Sequence, residues 1–361
     1  MQKINKSIFV DFTKRLYPDS TPQVMGEILW SISRARSLRI SSLSNEMAAT
    51  AGSYKKIQRF LDRFDYQEAL MRFFNPNAPF FIGDVTEIPR KEAYKTEWIG
   101  TLSDGETKGF WLLTLATPYH GRAMPFAIEI FSSSTINEEV LSKNLIYDKF
   151  FGQIKELVGN KPLIFDRELC GESYLKMLIH HQINFVIRLN MKGYIKDGEG
   201  KVLNEEFKRV PPGVARFYKG VYYKGIRVNV AVIRKKGEKE PIVVMSNLHP
   251  KTALAFYLKR MQIDETFRDG KEKLGLERVM NKKKENTKKM ISLLWISFNI
   301  MLLIGRHLRE GKDTAFRRKY SCLFVVLFLW GTFHQIERRK AVALALQEAC
   351  RIAFHHVRSP V

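Results

Sequence analysis

Two short apolar runs in this chain each lead into an aspartate. The run Phe-Phe-Ile at 80–82 precedes Asp84, and the run Leu-Ile-Phe at 163–165 precedes Asp166. A short apolar run bounded by polar residues is typical of a buried strand, so each aspartate is expected at or near the end of a strand. Ligands commonly bind where strands end at the edge of an α/β sheet. The chain is therefore expected to contain a sheet that holds these two carboxylates side by side.

The order of the apolar segments predicts an α/β fold. Three strands in series are followed by helix, strand, helix and strand, which is the order of an RNase H-like mixed sheet. Residues 203–245 interrupt this order with three β segments separated by turns, and we expect them to form an inserted β-subdomain rather than a continuation of the core sheet. The predicted core strands are Pro79–Thr86, Gly109–Thr117, Ala123–Phe131, Pro162–Asp166 and Ile183–Leu189, with helices at 136–158 and 172–181.

Helical segments flank this core. Residues 1–75 are predicted to be helical and to end at the linker Asn-Pro-Asn-Ala-Pro at 75–79. Further helices are predicted at 252–273 and 290–309, and two more within 320–351. The predicted organisation is a helical N-terminal region at 1–75, an RNase H-like core at 79–202 and 246–312, the inserted β-subdomain at 203–245, and a helical C-terminal region at 313–361.

The N-terminal region has the outline of a helix-turn-helix. A helix at 40–49 is followed by a break at Ala51-Gly52 and by a segment from Ser53, a possible N-cap, to Phe64. An ordinary helical pair with a solvated basic face explains the same pattern equally well. If the segment is an end-binding helix, its DNA contacts would come from its basic side chains, which are Lys55, Lys56, Arg59 and Arg63.

The charge of the chain points to a polyanionic partner. Sixty Lys and Arg stand against 37 Asp and Glu, giving a net charge of +23, and residues 251–361 alone carry +13. Nucleic acid is the commonest partner of such a chain, although charge alone leaves ribosomal, membrane-surface and heparin-type binding open. Backbone phosphate contacts are expected to concentrate in the C-terminal third.

The cysteines, the apolar runs and the missing nucleotide-binding motifs disfavour several classes of protein. The three cysteines lie far apart without a CxxC pair, which disfavours a disulfide framework or a zinc site and fits a reducing cytoplasm. The apolar runs at 290–305 and 322–330 are shorter than the roughly 18 residues of a membrane span, so buried core helices and no membrane association are expected. The chain has no phosphate-binding Walker A loop or dinucleotide motif, so no nucleotide cofactor is expected.

A third carboxylate is expected from the segment Tyr257–Lys271. At about 100° per residue, Tyr257, Arg260, Asp264 and Lys271 share one helix face, whereas Glu265 falls well away from it. Asp264 is therefore the better candidate to join Asp84 and Asp166, with Glu265 as the alternative. Neighbouring carboxylates repel one another unless a cation lies between them, and Mg²⁺ prefers such oxygen ligands. An amphipathic helix with a solvated charged face remains the simpler alternative for this segment taken alone.

Together these motifs resemble the DDE transposases of the bacterial insertion-sequence-four family, which carry a YREK signature. That family has DxT at its first acid, DRE at its second, and Y-x2-R-x3-E-x6-K on a helix. Here the corresponding residues are Asp84-Val-Thr86, Asp166-Arg-Glu168 and Tyr257-x2-Arg260-x3-Asp264-x6-Lys271. The resemblance covers roughly residues 79–275, including the β-rich insertion. Asp264 stands where the family has Glu, and Gly270 lies inside the helix, where glycine costs about 1 kcal/mol relative to alanine.

The resemblance implies an enzyme that cuts the ends of a mobile element and joins them to target DNA. Two Mg²⁺ ions, for which Mn²⁺ could substitute, would be held by Asp84, Asp166 and Asp264. Other residues would act around them: Tyr257, Arg260 and Lys271 on phosphates, Thr86, Arg167 and Glu168 as supports for the ligands, and Lys282, Lys283, Lys284, Lys288 and Lys289 along the DNA backbone. A solvated loop explains the lysine run equally well.

The same resemblance sets the expected partners. Double-stranded DNA, as element ends and as target, would be bound by a homodimer, with the 320–351 helices as a possible contact, in the bacterial cytoplasm at the nucleoid. Some relatives stack a flipped base on a Trp of the insertion. Residues 203–245 contain no Trp, and strand packing explains the aromatic residues there better than stacking does. Those aromatic residues are Phe217, Tyr218, Tyr222 and Tyr223.

Two other functions remain open from the sequence. One is an RNase H-like DNA nuclease, such as a resolvase. The other is a non-catalytic DNA-binding protein derived from a transposase, which would bind element ends through residues 1–75.

Overall fold

The computed structural model describes residues 3–47, 51–138 and 142–357. Within these ranges the helices are α1 Lys6–Leu16, α2 Pro22–Ala35, α3 Ile40–Met47, α4 Ala51–Arg63, α5 Tyr66–Met71, α6 Ser133–Glu138, α7 Lys143–Val158, α8 Glu172–His180, α9 Asn204–Lys208, α10 Pro250–Tyr257, α11 Met261–Leu274, α12 Lys284–Glu310, α13 Thr314–Lys319, α14 Cys322–Phe328 and α15 Gln335–Val357. The strands are β1 Phe81–Pro89, β2 Gly100–Thr101, β3 Lys108–Tyr119, β4 Arg122–Phe131, β5 Leu163–Phe165, β6 Phe185–Arg188, β7 Ile195–Lys196, β8 Ala215–Tyr223, β9 Ile226–Ile233 and β10 Ile242–Ser246.

The chain divides into two compact units. The first comprises residues 1–76, 85–139 and 264–361, and the second comprises residues 77–84 and 140–263. Strand β1 and helix α11 each contribute residues to both units, because the boundaries follow Asp84 and Ile263.

The first unit contains the β3–β4 hairpin and most of the helices. Strands β3 and β4 pair in antiparallel register from Trp111 opposite Phe131 to Tyr119 opposite Arg122, and β3 is also a hydrogen-bonded neighbour of β1. Helix α12 is long and apolar enough to cross a membrane, but 89% of its most apolar 18-residue window is buried inside the protein. The prediction of a buried core helix at 290–305 is thus confirmed.

The second unit contains the parallel strands. Strand β1 pairs in parallel with β5, with Phe81 opposite Leu163, and β5 pairs in parallel with β6, with Leu163 opposite Phe185. These three residues are fully buried, as expected for parallel strands covered on both faces. The chain order β1–β3–β4 followed by α7–β5–α8–β6 matches the predicted RNase H-like order, so the predicted α/β fold class is confirmed.

The predicted separation of the insertion from the core sheet is wrong. Strand β10 pairs antiparallel with β6, with Met245 opposite Ile187, and β9, β8 and β7 follow in order. The physical reason is that β6 would otherwise be an unpaired apolar edge, which folded proteins avoid. Residues 185–187 are fully buried in this arrangement.

The predicted single helix at 252–273 is also wrong, because it is interrupted in the middle. Helix α10 ends at Tyr257 and α11 begins at Met261. In the intervening turn the amide of Lys259 donates to Phe256 O and that of Arg260 donates to Tyr257 O, at 3.0 and 2.9 Å. Such three-residue hydrogen bonds wind the chain more tightly than an α-helix, so a count of 100° per residue does not hold across this turn.

In the N-terminal region the structure changes one helix boundary. Helix α4 already begins at Ala51, so Ser53 is a buried residue inside the helix rather than its N-cap. The end of the predicted helix at 40–49 falls partly on residues 48–50, which lie outside the described residues.

Candidate active site

Asp84 and Asp166 project from neighbouring parallel strands at the same level. In the β1–β5 pairing Ile82 lies opposite Ile164, and each aspartate follows two residues later on the same face of its strand. Asp166 directly follows β5, as predicted. The sequence had placed Asp84 at or near the end of its strand. In the structure β1 continues to Pro89 and remains a hydrogen-bonded neighbour of β3, so Asp84 lies inside the strand.

The guanidinium of Arg260 lies between the two carboxylates. Its Nη2 is 2.9 Å from Asp84 Oδ2 and 3.7 Å from Asp166 Oδ2. The three side chains are only 9%, 15% and 23% exposed, in the order Arg260, Asp84, Asp166. An opposite charge at this distance offsets the repulsion between neighbouring carboxylates. The tight turn after α10 therefore delivers a cation to the pair predicted from the sequence.

Tyr257 completes this cluster from the last turn of α10. Its hydroxyl donates to Asp166 Oδ1 at 3.3 Å. Burial and the charge of Asp166 raise the pKa of Tyr257 to about 12, against the opposing effect of Arg260 and Arg188. The phenol is therefore a neutral hydrogen-bond donor at physiological pH.

Arg188 belongs to the cluster and was missed in the sequence. It is the last residue of β6, the strand next to β5, and it hydrogen-bonds to Tyr257. The signal was available, since residues 185–187 are Phe-Val-Ile and lead into a charged residue as the runs before Asp84 and Asp166 do. A cation thus ends an apolar run here in the same way as the two aspartates do.

The two carboxylates are the kind of ligand that suits a hard cation. Asp84 and Asp166 offer the oxygen donors that Mg²⁺ prefers, and they are close enough to share one cationic nitrogen. Among the described residues, no group of three or more His, Cys, Asp or Glu side chains is arranged to hold a metal ion. The guanidinium of Arg260 thus takes the position between the carboxylates that a divalent cation would need.

The two candidates for the third acid differ in their partners. Glu265 Oε2 is 3.3 Å from Arg122 Nη2 and also accepts a hydrogen bond from Arg268. Asp264 lies on the first turn of α11, four residues after Arg260, and is partly exposed. Two arginines already neutralise Glu265, which makes it the weaker candidate for a metal ligand.

Lys271 contacts protein groups in the first unit. Its Nζ donates to Glu87 O at 2.9 Å and is 3.2 Å from Glu277 Oε1. The preceding Gly270 has a packing reason, because a β-carbon there would lie 2.8 Å from the ring of Trp295. The glycine that weakens the predicted helix therefore lets α11 approach α12 closely.

The residues predicted to support the metal ligands follow the two aspartates closely in the chain. Thr86 follows Asp84 in β1 and is partly exposed. Arg167 and Glu168 form an exposed turn after Asp166. Burial and the charge of Glu168 raise the pKa of Tyr174 to about 12.

The predicted basic run at 282–289 divides into exposed and internally bonded lysines. Lys282 and Lys283 are exposed and Lys284 is partly exposed. Lys288 Nζ is 2.7 Å from Glu129 Oε1, and Lys289 Nζ donates to Leu61 O at 2.6 Å. The last two ammonium groups therefore stabilise the first unit.

The basic residues of α4 are also divided. Lys55 is exposed, whereas Lys56 Nζ is 2.8 Å from Glu27 Oε2. Arg59 and Arg63 line a cavity of about 570 Å³ whose wall carries four cationic and three acidic side chains.

The aromatic residues of the insertion fall into two pairs. Tyr218 packs on Phe207 with ring centroids 4.9 Å apart, and Tyr223 is buried. Phe217 and Tyr222 are 44% and 39% exposed. Tyr218 and Tyr223 thus pack inside the protein, although Tyr218 contacts helix α9 rather than a strand.

Comparison with known proteins gives one family match. Residues 145–300, less than half of the chain, match the family model described as "Transposase DDE domain". That range includes Asp166, Tyr257, Arg260 and Asp264, and it ends before α12 does. No curated protein is significantly similar in sequence to this chain. A solved structure of piggyBac transposase in a synaptic complex with hairpin DNA aligns with a TM-score of 0.45 and 10% identity, covering 100% of this chain and 74% of that one. A likeness of this extent carries no conclusion about function.

Proposed function

We propose that this chain is a metal-dependent DNA transposase that cuts the ends of a mobile element and joins them to target DNA. The observation that carries the proposal is the pair Asp84 and Asp166, aligned on neighbouring parallel strands around Arg260. The match of residues 145–300 to a transposase DDE domain supports it, as does the net charge of +23. The finer assignment to the insertion-sequence-four family rests on the three motifs in the sequence.

The metal ions would be two Mg²⁺, for which Mn²⁺ could substitute, held by Asp84, Asp166 and Asp264. They would supply an activated water or 3′-hydroxyl and stabilise charge on the phosphate. In the metal-free protein, Arg260 would compensate the negative charge of the two carboxylates. With metal ions bound, its guanidinium would be free to bind a phosphate of the DNA. Its planar fork suits two phosphate oxygens. Tyr257, as a neutral donor, orients Asp166.

The proposed partners are double-stranded DNA and a second copy of the chain. Two element ends must be brought together before joining, so a homodimer on DNA is proposed. Exposed Lys55, Lys282 and Lys283 are candidates for contacts to the DNA backbone. A complex with a single protomer per pair of ends, measured by light scattering, would contradict the dimer.

The test of the proposal is cleavage of a duplex that contains the DNA flanking the coding region. Asp84→Asn and Asp166→Asn are expected to lower Mg²⁺-dependent cleavage by at least about 100-fold and to leave DNA binding unchanged. Asp11→Asn, at an exposed aspartate of α1, is the matched control. A wild-type protein that binds this DNA but never cuts it with Mg²⁺ or Mn²⁺ would favour the non-catalytic alternative. Cutting without joining to a second duplex would favour a nuclease.

The third acid has its own test. Asp264→Asn is expected to abolish cleavage, whereas Glu265→Gln is expected to retain most of it, because Glu265 is already paired with Arg122 and Arg268. Both variants remove one negative charge from α11, so each is the other's control. The reverse ranking of the two cleavage rates would make Glu265 the third acid.

A further inference from the structure

A strongly basic cleft lies in the first unit. It has a volume of about 570 Å³ and is formed by the turn between β3 and β4, by α11, by the end of α12 and by the last turn of α13. One acidic side chain, Glu265, lines it together with six cationic side chains, which are Arg122, Lys273, Arg309, Arg317, Arg318 and Lys319. The cavity beside α4 is different, with four cationic and three acidic side chains.

The wall of the cleft formed by α11 and the β3–β4 turn is internally neutralised. Arg122 Nε is 2.7 Å from Asp269 Oδ2, and Lys273 Nζ is 2.5 Å from Asp269 Oδ1. Arg122 also contacts Glu265. These cations and acids hold α11 against the hairpin turn, so this wall offers little net charge to a ligand.

The part of the lining that comes from α13 carries uncompensated positive charge. Arg317, Arg318 and Lys319 are exposed, and no acidic side chain in the described part of the chain pairs with them. Arg309 donates to neutral groups, Cys322 Sγ at 2.9 Å and Arg317 O. Its guanidinium thereby fixes the last turn of α13 to α12 and α14. The three cationic side chains at the end of α13 therefore extend from an anchored turn.

Part of the lining of the cleft is aromatic. Tyr320 and Phe324 line it and stack with ring centroids 5.4 Å apart. Cations beside aromatic side chains suit a sugar–phosphate backbone, whose phosphates attract the cations while its sugars are less polar. A small anion would need only one or two of these groups.

We infer that this cleft binds the phosphate backbone of duplex DNA through Arg317, Arg318 and Lys319. The inference rests on the proposed function for its partner, and it locates a contact that is separate from the Asp84–Asp166 pair. Each phosphate contact releases counterions, so the cleft should contribute to the salt dependence of binding and not to sequence preference. The duplex is either an element end or target DNA, since their backbones are chemically the same.

The test is the salt dependence of binding to a labelled duplex of about 30 base pairs with random sequence. The variant Arg317→Gln/Arg318→Gln/Lys319→Gln is expected to reduce the magnitude of the negative slope of log K against log salt by between about 1 and 3, at about 0.9 per lost phosphate contact. The control is Lys235→Gln/Lys236→Gln/Lys239→Gln, which removes the same charge from the exposed turn between β9 and β10. Thermal unfolding of both variants should match the wild type. If the triple variant unfolds early, Arg318→Gln alone is expected to reduce the magnitude of the slope by up to about 0.9.

Equal slopes for the cleft variant and the control would overturn the inference, as would a wild type that shows no salt-dependent duplex binding. Repeating the titration with the DNA that flanks the coding region separates the two sources. A larger loss on that duplex than on the random one assigns the cleft to element ends, and an equal loss on both assigns it to backbone contacts shared with target DNA. A wild type that binds with the expected slope but never cuts leaves the cleft established and refutes the transposase.

Discussion

Replacing Arg260 by glutamine should make the protein bind divalent cations more tightly. The guanidinium lies between Asp84 and Asp166, at 2.9 and 3.7 Å from their oxygens. A cation that binds this pair must displace that charge. Glutamine keeps much of the side-chain volume and removes the competitor.

The size of the expected change in stability and in metal affinity follows from these two distances. The two distances limit the separation of the carboxylate oxygens to about 6.6 Å. At an effective dielectric constant of about 20, two unit charges at this separation repel by about 2.5 kcal/mol. Without Arg260 this repulsion is uncompensated in the metal-free protein, so its free energy of unfolding should fall by about 2–3 kcal/mol. A divalent cation recovers that energy, and about 2.5 kcal/mol corresponds to an affinity about 60-fold higher.

Two assays measure this change. Isothermal titration with Mn²⁺ gives the dissociation constant, and thermal unfolding in EDTA and in MgCl2 gives the stabilisation by metal. Arg260→Gln should have the lower Tm in EDTA and the larger rise with metal. Lys259→Gln removes the same charge from an exposed neighbour and should behave as the wild type. Equal or weaker Mn²⁺ binding by Arg260→Gln would refute the placement of Arg260 in the position of the cation.

Two further predictions concern stability. Alanine at Gly270 would gain about 1 kcal/mol of helix propensity, but its β-carbon would lie 2.8 Å from the ring of Trp295, so denaturant titration should show a net loss of about 1–3 kcal/mol; a more stable variant would contradict this. Burial raises the pKa of Glu348, but a hydrogen bond from His307 and the charge of Arg306 outweigh it and hold the pKa below its ordinary value. A carboxyl with a lowered pKa stabilises the fold above its unfolded pKa of about 4.5, and this contribution is lost as the pH falls through the folded value. Glu348→Gln should therefore be less stable than the wild type at pH 7 and converge with it as the pH falls below about 4.5 through the folded value, and a difference independent of pH would contradict the assignment.

The parts of the fold that the sequence predicted are those set by local apolar runs. Residues 80–82 and 163–165 had to be buried strands, and their parallel pairing brings Asp84 and Asp166 to one level. The meeting of Tyr257 and Arg260 with these acids could be expected only from the family resemblance, because it depends on contacts 91 and 176 residues apart in the chain.

The predictions that failed depended on long-range pairing or on tight turns. The sequence at 242–246 reads as a strand in any sheet, and only the unpaired edge of β6 decides that it joins the core. The turn at 258–260 has helix-forming residues throughout, so its tighter hydrogen bonds leave no signal in composition. The position of Arg188 at the end of a strand could be predicted from its apolar run, whereas its contact with Tyr257 could not, because Tyr257 is distant in sequence.

The pairing of β10 with β6 also decides which parts of the insertion can vary. Three residue pairs, from Val244 opposite Arg188 to Ser246 opposite Val186, fix the point at which the chain leaves the sheet for α10. The turn between β9 and β10 can therefore grow or shrink while Arg260 keeps its place. One residue added inside β10 would instead advance the chain by about 3.3 Å and reverse the facing of its side chains, which is enough to break a 2.9 Å contact to Asp84. Related chains should thus differ in the length of this turn and agree in the length of β10.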